Sequence, residues 1–428
     1  MGETPNNQDR MPQQANDAQR QQAGQQNQQG QQVGVHAGII LPRILHSTSR
    51  ALGVSEGPPG IRSILAPMKT LDLKAASHFT APWAGLGLLL AYSGVWQGAW
   101  MATLCVLGLV ATVGAAVHHA EVVAHKVGEP YGTLILALAI TIIEVALIVS
   151  LMLSGGAATS ALARDTVFAA VMLILNGMIG LCLLAGASRH HEQRFRLHGV
   201  SAALTTLAAI AVLTLVLPNY TTSVPGPVYS YSQLVFVAVV SLILYGAFVL
   251  VQTVRHRDYF LPAQAQHDLE AHAQPPSPLQ VAISGVWLVL SLVVVVLLAK
   301  ALAPGVETLV TRSGAPKALV GIIIAAVVLM PESWAAFRAA RANRLQTSLN
   351  LALGSALASI ALTIPAVSLI SVVFQWPLTL GLDMKSTVLL LLSLFVSSLS
   401  LGTGRTTVLQ GAVHLVLLAV YIFTTIVP

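Results

Sequence analysis

From residue 82 onward the chain alternates long apolar runs with short polar breaks. Runs of ~20 apolar residues cross the hydrocarbon core of a bilayer as helices, and in lipid a helix satisfies its own backbone. The pattern predicts eleven spans, at about 82–97, 98–117, 131–153, 166–187, 200–217, 231–254, 279–302, 317–337, 347–373, 386–402 and 406–427. The short alternating segments of a membrane β-barrel do not occur. The predicted fold is an all-α polytopic membrane protein.

The polar stretches divide the chain. Residues 1–35 form a Gln-rich segment, with twelve Gln in residues 1–32. It has no apolar core of a signal peptide and reads as a disordered cytoplasmic tail. Residues 36–81 are mixed and basic and read as an interfacial approach. Residues 82–254 form a first transmembrane half. The hydrophilic loop 255–278 comes next, reading as a solvated linker whose His and acids could sense cations or pH. Residues 279–428 form the second half.

Composition agrees. The chain is 55% hydrophobic and 9% charged, whereas a soluble domain is about 25% charged. The net charge of +6 therefore reads as basic cytoplasmic loops rather than as a nucleic-acid surface. With the N-terminus inside, inner loops carry Lys126, Arg189, Arg194, Arg196, Arg255, Arg257, Arg338, Arg341, Arg344 and Arg405. Outer loops carry only Arg164, Lys300, Arg312, Lys317 and Lys385. That bias predicts an N-in orientation. Cys105 and Cys182 fall inside apolar runs and read as packing residues.

Of sixteen acidic residues, two lie within spans: Glu144 in the third, within "ALAITIIEVALIVSLML", and Glu332 in the eighth. A charge at the bilayer centre costs at least ~2.5 kcal/mol, so such residues mark ion paths or proton relays. The alternative is a neutral acid bridging two helices. Their surroundings repeat. Glu121 and Glu307 each precede a Gly-x-Pro (Gly128–Pro130, Gly314–Pro316), and an apolar run then ends at Glu144 or Glu332. Further on, "LILNGMIG" (173–180) and "LALGSALAS" (351–359) break apolar runs with Asn176, Gly177, Gly354 and Ser355. The third and eighth spans run in opposite directions, so the copies are inverted. Two inverted-topology repeats after one extra N-terminal helix are the architecture of many secondary transporters. Pro331 removes an amide beside Glu332 and is expected to kink its helix.

Burial in an apolar site favours a carboxylic acid over a carboxylate. Such a group holds a proton until a hard cation replaces it. Calcium takes six to eight oxygens. Two Glu supply up to four, with backbone carbonyls, Thr141, Asn176, Ser355 and water as further donors. Glu121 and Glu129 would form an acidic cytoplasmic mouth.

The stretches "GEPYGTLILALAITIIEV" and "GIIIAAVVLMPESWAAF" resemble the two alpha-repeats of the cation/calcium exchanger superfamily, and within it the bacterial ChaA-type calcium/proton antiporters. The resemblance covers residues 80–428. It implies a multi-pass protein of the bacterial inner membrane. Cytoplasmic calcium, or sodium or potassium, would leave in exchange for protons, with no cofactor. It places the paired transport glutamates on Glu144 and Glu332, the first glycine stretch on Gly128 and Gly132, and the small-polar stretch on Asn176, Gly177, Gly354 and Ser355. The family's Gly-Asn-x-x-Glu pattern is broken here, with Thr141 and Leu329 at the Asn positions. Two amide oxygens are missing, which leaves room for sodium or potassium. A channel with a two-carboxylate filter is the alternative in another class.

Other groupings carry less. "HHAEVVAH" (118–125) reads as interfacial His aiding proton or cation access, with a structural metal as the weaker alternative. "SRHHEQRFRLHG" (188–199) reads as a topogenic basic loop. Ser355 with His414 would make an intramembrane protease only if the fold joined them. Deleting residues 2–32 is expected to leave exchange unchanged in everted vesicles; a large change in rate would make the tail regulatory.

Overall fold

The computed structural model describes residues 73–94, 98–128, 131–261, 276–312, 314, 316 and 318–427. The Gln-rich tail, most of the basic approach segment, Glu129, Pro130 and most of the 255–278 loop lie outside the described residues.

Eleven long helices succeed one another in chain order. They are α1 (Leu73–Gly94), α2 (Ala99–Val127), α3 (Tyr131–Gly155), α4 (Leu162–His190), α5 (Leu197–Tyr220) and α6 (Tyr231–Arg255). After the central loop come α7 (Pro278–Arg312), α8 (Ala318–Arg341), α9 (Leu345–Phe374), α10 (Met384–Leu401) and α11 (Val408–Ile426). Each overlaps one predicted span. Among the described residues, eight are long and apolar enough to cross a membrane, and α8 makes a ninth despite a 54° bend between Met330 and Glu332. In α3 the apolar stretch is the shorter Ala137–Leu153. Helix α1 starts at Leu73, inside the segment read as interfacial. Its first turns carry Lys74, Ser77, His78 and Thr80, which is why the apolar pattern detects only its second half.

The two halves interlock. Helix α9 packs on α3, α5 and α6; helix α4 packs on α8, α10 and α11. Exchanging α3–α6 for α8–α11 maps one set onto the other. Backbone pairing obeys the same exchange. The segment after α4 (Gln193–Arg194, β1) pairs antiparallel with the α10–α11 connection (Arg405–Thr406, β2). The segment after α9 bridges the α5–α6 connection, Val228 to Thr379. This is the inverted-repeat architecture. Helix α1 stands outside the repeats, on α2 and α7.

Helix α4 is central: 83% of its apolar window is buried, against 22% in α6 and 17% in α11, which present most of theirs outward. Cys182 belongs to this main core and Cys105 to a separate cluster of α2, α3 and α7 side chains, so they are not a pair.

Helices α4 and α11 meet backbone to backbone. A Cβ on Gly411 would lie 2.5 Å from the amide nitrogen of Leu184 and 2.9 Å from the carbonyl of Gly180. No flexible side chain can yield there. Gly411→Ala is expected to lower stability by about 1–3 kcal/mol, read as a lower melting temperature in detergent; an unchanged one would refute this contact.

Candidate cation site

Glu144 and Glu332 come from opposite halves and converge on one face of α9. Glu144 is 3% exposed and Glu332 fully buried. Ser359 donates its hydroxyl to Oε2 of Glu144. Ser355 donates to Oε2 of Glu332 at 2.5 Å. The two serines are four residues apart, hence neighbours one turn along the same face, ~6 Å apart in rise. The bend between Met330 and Glu332 sets the last part of α8 at an angle to its apolar first part, where a proline is expected to break the ladder.

The second oxygen of each acid, Oε1, is buried without a hydrogen-bond partner. Among the described residues no basic side chain pairs with either acid. Their neighbours along α3 and α8, Ile140, Ile143, Ala325, Val328 and Leu329, are apolar and buried. Two buried carboxylates with no counter-charge are strongly unfavourable. The pair is therefore stable only with its charge cancelled, by protons or by a cation.

The other singled-out residues take varied positions. Thr141 is buried on α3, one turn before Glu144, and its hydroxyl donates to the Ala137 carbonyl at 2.9 Å. Among the described residues no hydrogen bond joins Asn176 to either carboxylate. Its Nδ2 donates to Ser393 Oγ at 2.8 Å, and its Oδ1 lies 3.4 Å from Nδ1 of His414. Nε2 of His414 lies 2.8 Å from Ser400 Oγ. Asn176 lies within a π turn, Leu173–Met178. One extra residue in a turn rotates the rest of the helix by ~100°. Helix α9 is regular through Ser355 and Ser359. Gly177 faces Leu418 of α11, 3.3 Å from where its Cβ would stand, whereas a Cβ on Gly354 would meet nothing within 4 Å. Glu121 is exposed near the end of α2. His118 stacks on His78 at 4.1 Å between centroids, and His119 is buried against Phe79 and Trp287. His414 is joined to Ser400 and Ser355 to Glu332, so the two do not form a nucleophile–base pair.

Ser359 escaped the sequence reading. Its only signal is its place four residues after Ser355. Which acid it meets depends on how α3 crosses α9.

The profile of the sodium/calcium exchanger protein family matches residues 97–254 and 283–427. The chain is 51% identical over 321 residues to y4hA of Sinorhizobium fredii, covering 75% of this chain and 87% of that protein. It is 36% identical over 323 residues to the sodium-potassium/proton antiporter ChaA of Escherichia coli, with the same coverage, 75% and 87%. Among solved structures, the fold is similar to YfkE, with a TM-score of 0.64 at 16% identity over 82% of this chain and 100% of that one. It is equally similar to the H+/Ca2+ exchanger CAX, with a TM-score of 0.64 at 15% identity over 82% and 89%. The chain is a multi-pass membrane transporter, not an enzyme, and it belongs to the sodium/calcium exchanger family.

Proposed function

We propose that this protein is a secondary antiporter that exchanges cytoplasmic calcium for external protons across the bacterial inner membrane, with its N-terminus inside. Glu144 and Glu332 are the site at which cation and proton compete. The observation that carries this reading is the pair of unpartnered Oε1 atoms. Each acid is already anchored through Oε2, so the remaining oxygens are the free ligands of the site. A cation held by both cancels two charges at once. Protons do the same one at a time. The two ligands exclude each other at the same oxygens, which couples the exit of one to the arrival of the other. Alternating exposure of the site to the two sides, through movement of one repeat against the other, then yields antiport.

A second reading, sodium or potassium in place of calcium, rests on the oxygen inventory. Four carboxylate and two serine oxygens make six, the lower end of what calcium takes. Thr141 already serves its own helix, and Leu329 brings no oxygen. The likeness to a sodium-potassium/proton antiporter supports this reading. The H+/Ca2+ exchanger among the similar structures is a likeness of fold only.

Everted vesicles with an acid interior separate the readings. Calcium, sodium and potassium are added singly while a dye tracks internal pH. Dequenching by calcium alone is the expected result; dequenching by sodium or potassium selects the second reading, and cation flux without proton counterflow would make the protein a channel. Glu144→Gln and Glu332→Gln are each expected to abolish exchange in a folded protein, and normal transport by either would remove that acid from the site. Apparent cation affinity is expected to fall as pH falls on the loading side, because protons hold the same oxygens.

Ser359→Ala removes a hydrogen bond to a charged group, worth about 1.5–3 kcal/mol. Its apparent cation affinity is expected to fall by ~10-fold or more, with Ser359→Thr close to the parent; equal affinities in all three would make Ser359 a bystander.

A further inference from the structure

Past its bend, α8 ends in a short arm, Glu332–Arg341, with two unlike faces. Glu332, Ala336, Ala339 and Ala340 are buried. Trp334 is 59% exposed, and Arg338 and Arg341 are exposed beside the half-buried Phe337. At ~100° per residue the first group centres on one side of the helix and the second on the other. The inner face carries the carboxylate that bonds Ser355.

The outer face is a ladder of rings and guanidiniums. The Trp334 and Phe337 rings stack, 5.7 Å between centroids and 21° between planes. The guanidinium carbon of Arg341 lies 5.8 Å from the centre of the Phe337 ring. Arg338 stands one turn from both Trp334 and Arg341. A guanidinium held over a ring by cation–π attraction keeps its fork of N–H donors free. Arg338 is six residues beyond Glu332, ~9 Å along the helix. The exposed face therefore runs from apolar rings to charge over the short distance in which a bilayer passes from acyl chain to headgroup.

Pairing separates these two arginines from others at the same end of the bundle. His190 Nε2 lies 3.0 Å from the Arg341 carbonyl, and Gln193 Nε2 donates to the Ala340 carbonyl at 2.8 Å. The β1–β2 ribbon thus borders the arm. In the ribbon, Arg194 and Arg405 share Glu192, each at 3.5 Å. Among the described residues no acid ion-pairs with Arg338 or Arg341; Glu121 acts on Arg338 only through space. Topogenic charge requires a number of basic residues. It does not require two unpaired guanidiniums in line with Trp334 and Phe337 on one face.

We propose that the outer face of this arm binds one anionic phospholipid, with Arg338 and Arg341 on the headgroup phosphate and Trp334 and Phe337 along the start of an acyl chain. Guanidinium forks suit a phosphate because two N–H groups meet two oxygens. The same arm carries Glu332 inward, so a lipid seated outside holds that acid against Ser355 and raises the rate of exchange. This coupling rests on the two-carboxylate reading; the lipid site does not.

The test uses the full-length protein in phosphatidylcholine vesicles that contain a minor share of brominated lipid, either phosphatidylglycerol or phosphatidylcholine. Bromine quenches tryptophan on contact, and the share of Trp334 is the difference between the parent and Trp334→Phe. Brominated phosphatidylglycerol is expected to quench that share more strongly at equal content. Arg338→Gln with Arg341→Gln is expected to bring the two lipids level, each arginine being worth about fivefold in affinity. Arg194→Gln with Arg405→Gln removes the same charge from the same end and is expected to keep the preference. Equal quenching by both lipids in the parent, or equal loss of preference in the two double variants, overturns the site. Glycerol 3-phosphate in the bath is expected to leave quenching unchanged; relief would assign the face to a soluble phosphate ester and overturn the lipid.

Exchange, read with the pH dye, tests the coupling. The parent is expected to run several-fold faster with phosphatidylglycerol than in phosphatidylcholine alone, and the Arg338→Gln, Arg341→Gln variant at one rate in both. A parent with one rate in both overturns the coupling to Glu332. In Glu332→Gln the preference for brominated phosphatidylglycerol is expected to persist, so a failed carboxylate site and a failed lipid site are read apart.

Discussion

Two acids buried in an apolar core, each held by one serine of the same helix, constrain everything else in this protein. Glu144 and Glu332 have no basic partner among the described residues, and each keeps one oxygen unpaired. In a low-dielectric interior such a pair is tolerated only with its charge cancelled. The requirement reaches outward. Helices from both halves must bring their acids to α9, and α8 must bend by 54° on the way. The interlocked packing of α9 on α3 and of α4 on α8 meets the first demand.

The repeats are symmetric in their scaffold and asymmetric at the site. Helices α4 and α9 occupy equivalent places and carry equivalent breaks in their apolar runs. Among the described residues only α9 donates hydrogen bonds to the acids. In α4, Asn176 lies on a π turn and bonds to Ser393 and His414, a polar network between α4, α10 and α11.

Much of this was legible in the sequence, and for identifiable reasons. Apolar runs locate helices because lipid forces their length, so ten of the eleven helices begin within a few residues of their expected positions. Helix α1 begins earlier because its first turns are polar. Glu144 and Glu332 stood out because a lone acid in hydrocarbon is costly, and their repeated context tied them together before any contact was known. Ser359 did not stand out. A serine in a span is cheap enough to be common, and its meaning depends on which helix crosses it and at what height. The direction of Asn176 was likewise hidden, because the winding of one turn leaves no mark on the apolar pattern.

The exchanged backbone pairing has a consequence for how the chain is made. Helix α4 needs α8, α10 and α11 to cover it, and the strand after it waits for Arg405–Thr406. Those partners are synthesised later by up to roughly 240 residues, a delay of about 10–50 s at ~5–20 residues per second. For that interval Asn176 sits in the bilayer without Ser393 or His414. The first half therefore has to be inserted as a loose intermediate and can close only around the second. A ribosome that stops midway leaves a half with a polar stripe facing lipid, the kind of exposed surface by which membrane quality control would recognise an unfinished chain.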